Sequence, residues 1–217
     1  RIGSCGCYVM LGTVGDREME NLSFAGRFKP RRELGRTGFH ASLFGIGDLA
    51  DRSVPFEECA ATVRRAMEAG LNVIDTAPGY EDGYSEEIVG AALRGRRDGM
   101  FVIDKVDHPE EPVVPQVEES LSRLKMDFAD AFVLHGVSDM DRWERASGPG
   151  GAMEQLEECR NQCKLRFRGI SSHHPDMLVA AIQSGLCDIV LFPVGPACDI
   201  RYIERVLPLA KERGVAT

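Results

Sequence analysis

Short apolar runs rich in Val, Ile and Phe recur along this chain. Between them lie longer stretches in which apolar residues return every three or four positions. The runs at 43–47 (LFGIG), 71–76 (LNVIDT), 100–105 (MFVIDK), 130–135 (DAFVLH), 167–171 (FRGIS) and 188–194 (DIVLFPV) read as strands, and VAT at 215–217 as the start of another. Continuous apolar runs of this kind fill parallel strands covered on both faces. Earlier, RREL and HASLF flank the turn residues Gly35-Arg36-Thr37-Gly38 and predict a β-hairpin.

The intervening segments carry the helical period. Phe56, Cys59, Ala60, Val63 and Met67 form one apolar stripe, opened by Pro55 and ended by Gly70. Ser85 reads as the N-cap of a helix running to Leu93, with Glu86 and Glu87 in its first turn. Val113, Val117, Leu121 and Leu124 make the next stripe, and further helices are expected over 152–163, 175–184 and 201–213, the last kinked by Pro208.

Strand and helix in alternation imply right-handed βαβ crossovers. About six units and the beginning of a seventh strand predict an α/β fold, an incomplete (β/α)8 TIM barrel preceded by the hairpin. The domain is expected over residues 30–217, after a leader of weak periodicity at 1–29. The rival, a doubly wound open sheet, normally places a Gly-rich phosphate loop after its first strand, and GIGDLADR offers only two glycines there. The chain opens on Arg1 and stops at Thr217 as a strand begins, and is read as a piece of a longer protein.

Four ionisable residues stand at or near the ends of these strands: Asp75, Tyr80 in the segment that follows it, Lys105 and His135. Parallel βα folds place their chemistry at that end. Any one of the four could cap its strand in solvent, but a register of four groups able to exchange a proton reads as an active site. A lysine ammonium beside a tyrosine favours the phenolate and is expected to lower its ordinary pKa near 10. Asp75 would hold the lysine charged, and His135 could donate to a substrate oxygen. Such a set protonates a carbonyl oxygen but supplies no hydride, so carbonyl reduction would require a nicotinamide cofactor.

A formal net charge of -8 argues against a nucleic-acid or anionic-membrane partner. No apolar run approaches the roughly 20 residues that span a bilayer. Seven scattered cysteines, an odd number in a chain of this size, fit a reduced, cytoplasmic protein better than a disulfide scaffold. Neither Cys5 and Cys7, nor Cys159 and Cys163, nor His173 and His174 complete a zinc pattern, so no metal is expected.

The stretch D-T-A-P-G-Y at 75–80, the strand ending in Lys105, L-H-G at 134–136 and G-I-S-S at 169–172 resemble the aldo-keto reductases, in order and spacing, from about Glu33 to Thr217. The resemblance implies a (β/α)8 barrel binding NADP(H) or NAD(H) without a Gly-rich loop, acting on a small-molecule carbonyl substrate. It implies Asp75, Tyr80, Lys105 and His135 as the catalytic tetrad, with tyrosine as general acid. It places the cofactor against Gly47, Asp48, Asp75, Ser171 and Ser172. Asp48 stands where the family more often has threonine, Ser172 where asparagine is commoner, and Glu81 where glycine usually follows the tyrosine. Leu191 falls near where many members carry a glutamine, and Cys163 where a helix-ending glycine is expected. The family's grip on the cofactor phosphates comes largely from its seventh and eighth strands, so this chain alone is expected to be inactive.

Other readings of the same residues are a nucleotide-sensing, non-catalytic barrel subunit and a Schiff-base aldolase using Lys105. A metal-dependent hydrolase is weaker, because the first strand end carries no histidine pair. The substrate, the choice between NADPH and NADH and the oligomeric state stay open at this level.

Overall fold

The structure, a computed structural model, describes residues 31–217. The predicted leader, with Cys5 and Cys7, lies outside the described residues. The expected hairpin forms, with β1 (Arg32–Glu33) and β2 (His40–Ala41) paired antiparallel. Then come α1 (Phe56–Glu68), β3 (Val73–Asp75), α2 (Tyr84–Leu93), β4 (Phe101–Val106), α3 (Val113–Leu124) and β5 (Ala129–Leu134). After β5 follow α4 (Met140–Ser147), α5 (Ala152–Asn161), β6 (Leu165–Ser171), α6 (Pro175–Ser184), β7 (Ile189–Leu191), a π turn (Tyr202–Val206) and α7 (Leu207–Arg213).

The five later strands form one parallel sheet in the order β3-β4-β5-β6-β7. Ile46 extends one edge through a bridge to Ile74, and Ala216 extends the other through a bridge to Ile189. The expected outer strands at 43–47 and 215–217 are thus present in place but reduced to single bridges. Gly45 and Gly47 flank Ile46 and give the first run no side chains to pack, while Leu43 and Phe44 are exposed.

Every residue of β4 and β5 is buried, and their alternation sorts two cores. Val102, Val106, Phe132 and Leu134 face outward under the helices. Phe101, Ile103, Ala131, Val133, Ile189 and Ala216 face inward. The period of two then carries Lys105 onto the inner face and Asp104 onto the outer. Phe101 stacks on Phe167 at 5.9 Å and meets Phe39 of the hairpin at 5.1 Å, so the hairpin floors the barrel beneath the strands' N-terminal ends. Gly35 of that hairpin lies so close to the last bridge that a Cβ would stand 2.5 Å from Ala216 N. Arg36 donates to Gly214 O at 2.8 Å and pairs with Asp188 at 2.9 Å. Within the inner face Gly169 lets β7 approach, since a Cβ there would meet Ile189 O at 1.7 Å.

Three local features depart from the sequence reading or add to it. Ser85 does not cap α2; Gly83, at φ 81°, occupies the cap, and the Ser85 hydroxyl exchanges a 2.9 Å bond with Thr76 instead. The segment 140–147, to which the sequence reading assigned no element, is α4, capped by Asp139 accepting from Arg142 N at 2.7 Å and anchored by buried Trp143. The helix expected over 201–213 forms with a π turn immediately ahead of Pro208, widening the coil just before a residue with no N–H to give. Cys163 takes φ 60°, the left-handed conformation its position demanded. Among the described residues no helix is long and apolar enough to cross a membrane, and no cluster of three His, Cys, Asp or Glu could hold a metal ion.

Candidate active site

Three of the four predicted groups arrive on consecutive strands. Asp75 closes β3, Lys105 lies one residue from the end of β4 and His135 follows β5 directly. Tyr80 comes from the turn between β3 and α2, where its N–H donates to Ala77 O at 3.1 Å. The structure brings all four together. Lys105 Nζ donates to Asp75 Oδ2 at 2.8 Å, to Thr76 O at 2.8 Å and to the Tyr80 hydroxyl oxygen at 3.0 Å. Three donors meet three acceptors, which fills the ammonium's capacity. The Tyr80 and His135 rings meet edge to face, centroids 5.9 Å apart.

These contacts decide protonation. Burial works to discharge Lys105, but the Asp75 carboxylate and the Tyr80 oxygen outweigh it and hold its pKa above the ordinary value. For Tyr80 the expected direction is overturned. Burial raises its pKa more than the Lys105 charge lowers it, with Asp75 adding to the rise. The phenol is therefore a protonated donor at neutral pH. Its oxygen accepts from Lys105, which leaves its own O–H proton available to another acceptor.

The His135 Nδ1 is paired with the Asp107 carboxylate, a partner the sequence reading did not single out. Burial would raise the Asp107 pKa, but the His135 bond and charge, with the Gly79 N–H, take it below the usual carboxylate range. Asp107 lies just past the end of β4, two residues beyond Lys105.

The predicted cofactor positions divide between two rims of this centre. Gly47 leaves open space where a Cβ would stand, and exposed Asp48 accepts from Ala50 N at 2.9 Å, close enough for its charge to act on Tyr80. On the other side the Ser171 hydroxyl accepts from Gly136 N at 2.8 Å, and that of buried Ser172 accepts from His174 N at 3.1 Å. Each serine thus keeps its own O–H proton for another acceptor. The second oxygen of Asp75, Oδ1, is buried without a hydrogen-bond partner. Two free hydroxyl donors and an orphan acceptor around the tetrad fit a ligand carrying a carboxamide and hydroxyls. His108 and His173 are exposed on the rim.

A model of the aldo/keto reductase family matches residues 43–216. Among curated proteins, the chain is 27% identical over 199 residues to the uncharacterized oxidoreductase YqkF of Bacillus subtilis, a match covering 86% of this chain and 62% of that protein. Among solved structures, the holo form of the aldo-keto reductase AKR11C1 from Bacillus halodurans superposes with a TM-score of 0.72 at 27% identity, covering 85% of this chain and 63% of that one. An aldo-keto reductase from Klebsiella pneumoniae in complex with NADPH gives 0.70 at 26% identity, covering 86% and 66%. The chain therefore spans a little over six-tenths of the length of the curated relative it matches.

Proposed function

From the premise that this chain belongs to the aldo/keto reductase family, we propose that its protein reduces an aldehyde or ketone to an alcohol, using NADPH or NADH. A nicotinamide, when bound, supplies hydride to the carbonyl carbon. The chain's own residues handle the oxygen. Tyr80 donates its O–H to the carbonyl oxygen as negative charge develops there. Lys105, held charged by Asp75, stabilises the phenolate left behind, and His135 lines the same oxygen site from the next strand. Ser171 and Ser172 present hydroxyls to a carboxamide, and Asp75 Oδ1 and the open space at Gly47 flank it.

The observation that carries this reading is the three-bond seat of Lys105, which supports Tyr80 as a phenol whose proton is free to go to a substrate oxygen. The same seat disfavours a Schiff-base aldolase, because a lysine that attacks carbonyls must first be neutral. The non-catalytic subunit makes a separable forecast of tight nucleotide binding with negligible turnover. In the protein carrying this chain, Tyr80→Phe should lower NADPH-dependent reduction of an aromatic aldehyde by about 10² to 10⁴, the usual worth of a positioned general acid. NADPH affinity, read by fluorescence titration, should stay within about twofold, since an O–H that points to substrate adds little to nucleotide binding. Retention of more than about half the rate removes Tyr80 from this role.

A further inference from the structure

Asp107 joins two loops of the site. Its carboxylate receives His135 Nδ1 on one side and the Gly79 N–H on the other. Gly79 is the residue before Tyr80, and a Cβ on it would stand 2.6 Å from Asp107 Oδ2. The absence of a side chain there is what lets the carboxylate lie between the tyrosine loop and the histidine. The carboxylate is partly buried but keeps its charge, because its two donors outweigh the cost of burial.

We infer that Asp107 is a positioning residue that commits the His135 proton to Nδ1, so that the neutral ring offers a lone pair, and only the imidazolium an N–H, at Nε2. An ionised carboxylate can only accept, so the nitrogen facing it must carry hydrogen. The opposite nitrogen of a neutral imidazole is then an acceptor. A carbonyl oxygen has no hydrogen to give and meets a lone pair there. An alcohol O–H is accepted by it.

The consequence deepens the proposed reaction and rests on that reading for the statement that His135 faces the reacting oxygen. Reduction is assisted by His135 while its ring is protonated. Once the ring is neutral the same nitrogen accepts the alcohol O–H instead. Tyr80 remains the group that transfers the proton in both directions. The charged and titratable groups around the pair are few. Tyr80, with Lys105 behind it, faces the ring from the β3 and β4 side. Arg142 of α4 donates to Gly136 O at 3.2 Å and is paired with Glu110 at 3.2 Å, and His108 acts on Asp107 by its charge.

The decisive measurement is the tautomer itself. Protein with ¹⁵N-labelled histidine is titrated by NMR, with the His135 signals assigned by their loss in His135→Gln. Wild type should show the neutral ring with hydrogen on Nδ1. Asp107→Asn, whose amide can donate to Nδ1, should move a large share of the neutral ring to the Nε2–H form. In wild type kcat/KM for carbonyl reduction should fall about ten- to hundredfold as the ring loses its proton, the worth of a hydrogen bond from a charged donor. In Asp107→Asn that step should shrink to about threefold or less, since its neutral ring can still donate. A wild-type neutral ring with hydrogen on Nε2 overturns the inference, even if the variant does not fold. So does an unchanged tautomer in a folded Asp107→Asn. An Nδ1–H ring in a protein that turns over no carbonyl leaves the tautomer assignment standing and sinks the proposed reaction instead.

Discussion

Removing the charge of Arg123 should unfold more of this protein than a surface ion pair would suggest. Glu86, in the first turn of α2, is fully buried, and its carboxylate takes Arg123 Nε closely and Nη2 at 3.4 Å. On its other flank lies Asp104 of β4, whose carboxyl is held well above the usual range, first by burial and then by the Glu86 charge. Arg123 is thus the cation that serves Glu86, partly shielded and also paired with Glu119 at 2.6 Å. Arg123→Met keeps most of the stem, which packs over Gly83, and deletes only the charge. A buried carboxylate left without its partner costs about 3–5 kcal/mol. Typical domains hold about 5–15 kcal/mol in all, so roughly a fifth or more of the stability would go. For a chain of this size the melting temperature should drop by roughly 6 to 20 °C. The assay is equilibrium urea unfolding at pH 7, followed by circular dichroism, for wild type, Arg123→Met and Arg123→Met with Glu86→Gln. The double variant should recover most of the loss, because it removes the stranded charge while keeping its shape. A single variant within about 1 kcal/mol of wild type, the range of an exposed pair, would refute the argument, as would a double variant no better than the single.

Two further outcomes follow from buried polar and steric detail. Asp104 keeps a proton in the native state that the unfolded chain gives up above about pH 4, so native stability is lost as pH rises from there through the native pKa. Asp104→Asn should therefore match wild type near pH 4 and exceed it at pH 8; a constant offset in urea unfolding across that range would contradict the assignment. Gly169→Ala would drive a Cβ into Ile189 O, and backbone must move to admit it. Thermal melting should report a loss at or above about 1–3 kcal/mol, the usual cost of overpacking, and an unchanged melt would place β7 further from β6 than described.

What was legible in the sequence was whatever a strand writes along its own length. FVIDK and DAFVLH announced β4 and β5 because parallel strands covered on both faces are apolar throughout, and their polar ends marked Lys105 and His135 without any knowledge of the sheet. The helix α4 escaped because DRWERAS buries only Trp143 and Ala146, too sparse a stripe to stand out from loop. The Ser85 cap failed because the rule is local, whereas its hydroxyl was claimed by Thr76, just past the end of β3. Asp107 escaped for a related reason: VDHPE reads as a turn, and its partnership with His135 depends on the β4–β5 register. The direction of the Tyr80 shift was misjudged because the neighbouring lysine could be read from sequence and the depth of burial could not.

The hairpin floor has a consequence for biosynthesis. Gly35 and Arg36 are held against Gly214 and Ala216, residues that leave the ribosome long after the hairpin does. At about 5–20 residues per second, the hairpin waits roughly 10 to 40 seconds for the backbone it seals against. Through most of that interval its inner edge has nothing to rest on, although Phe39 can find Phe101 much earlier. The floor can close only once residues 214–216 have been made, and until then the chain carries an unsealed apolar base.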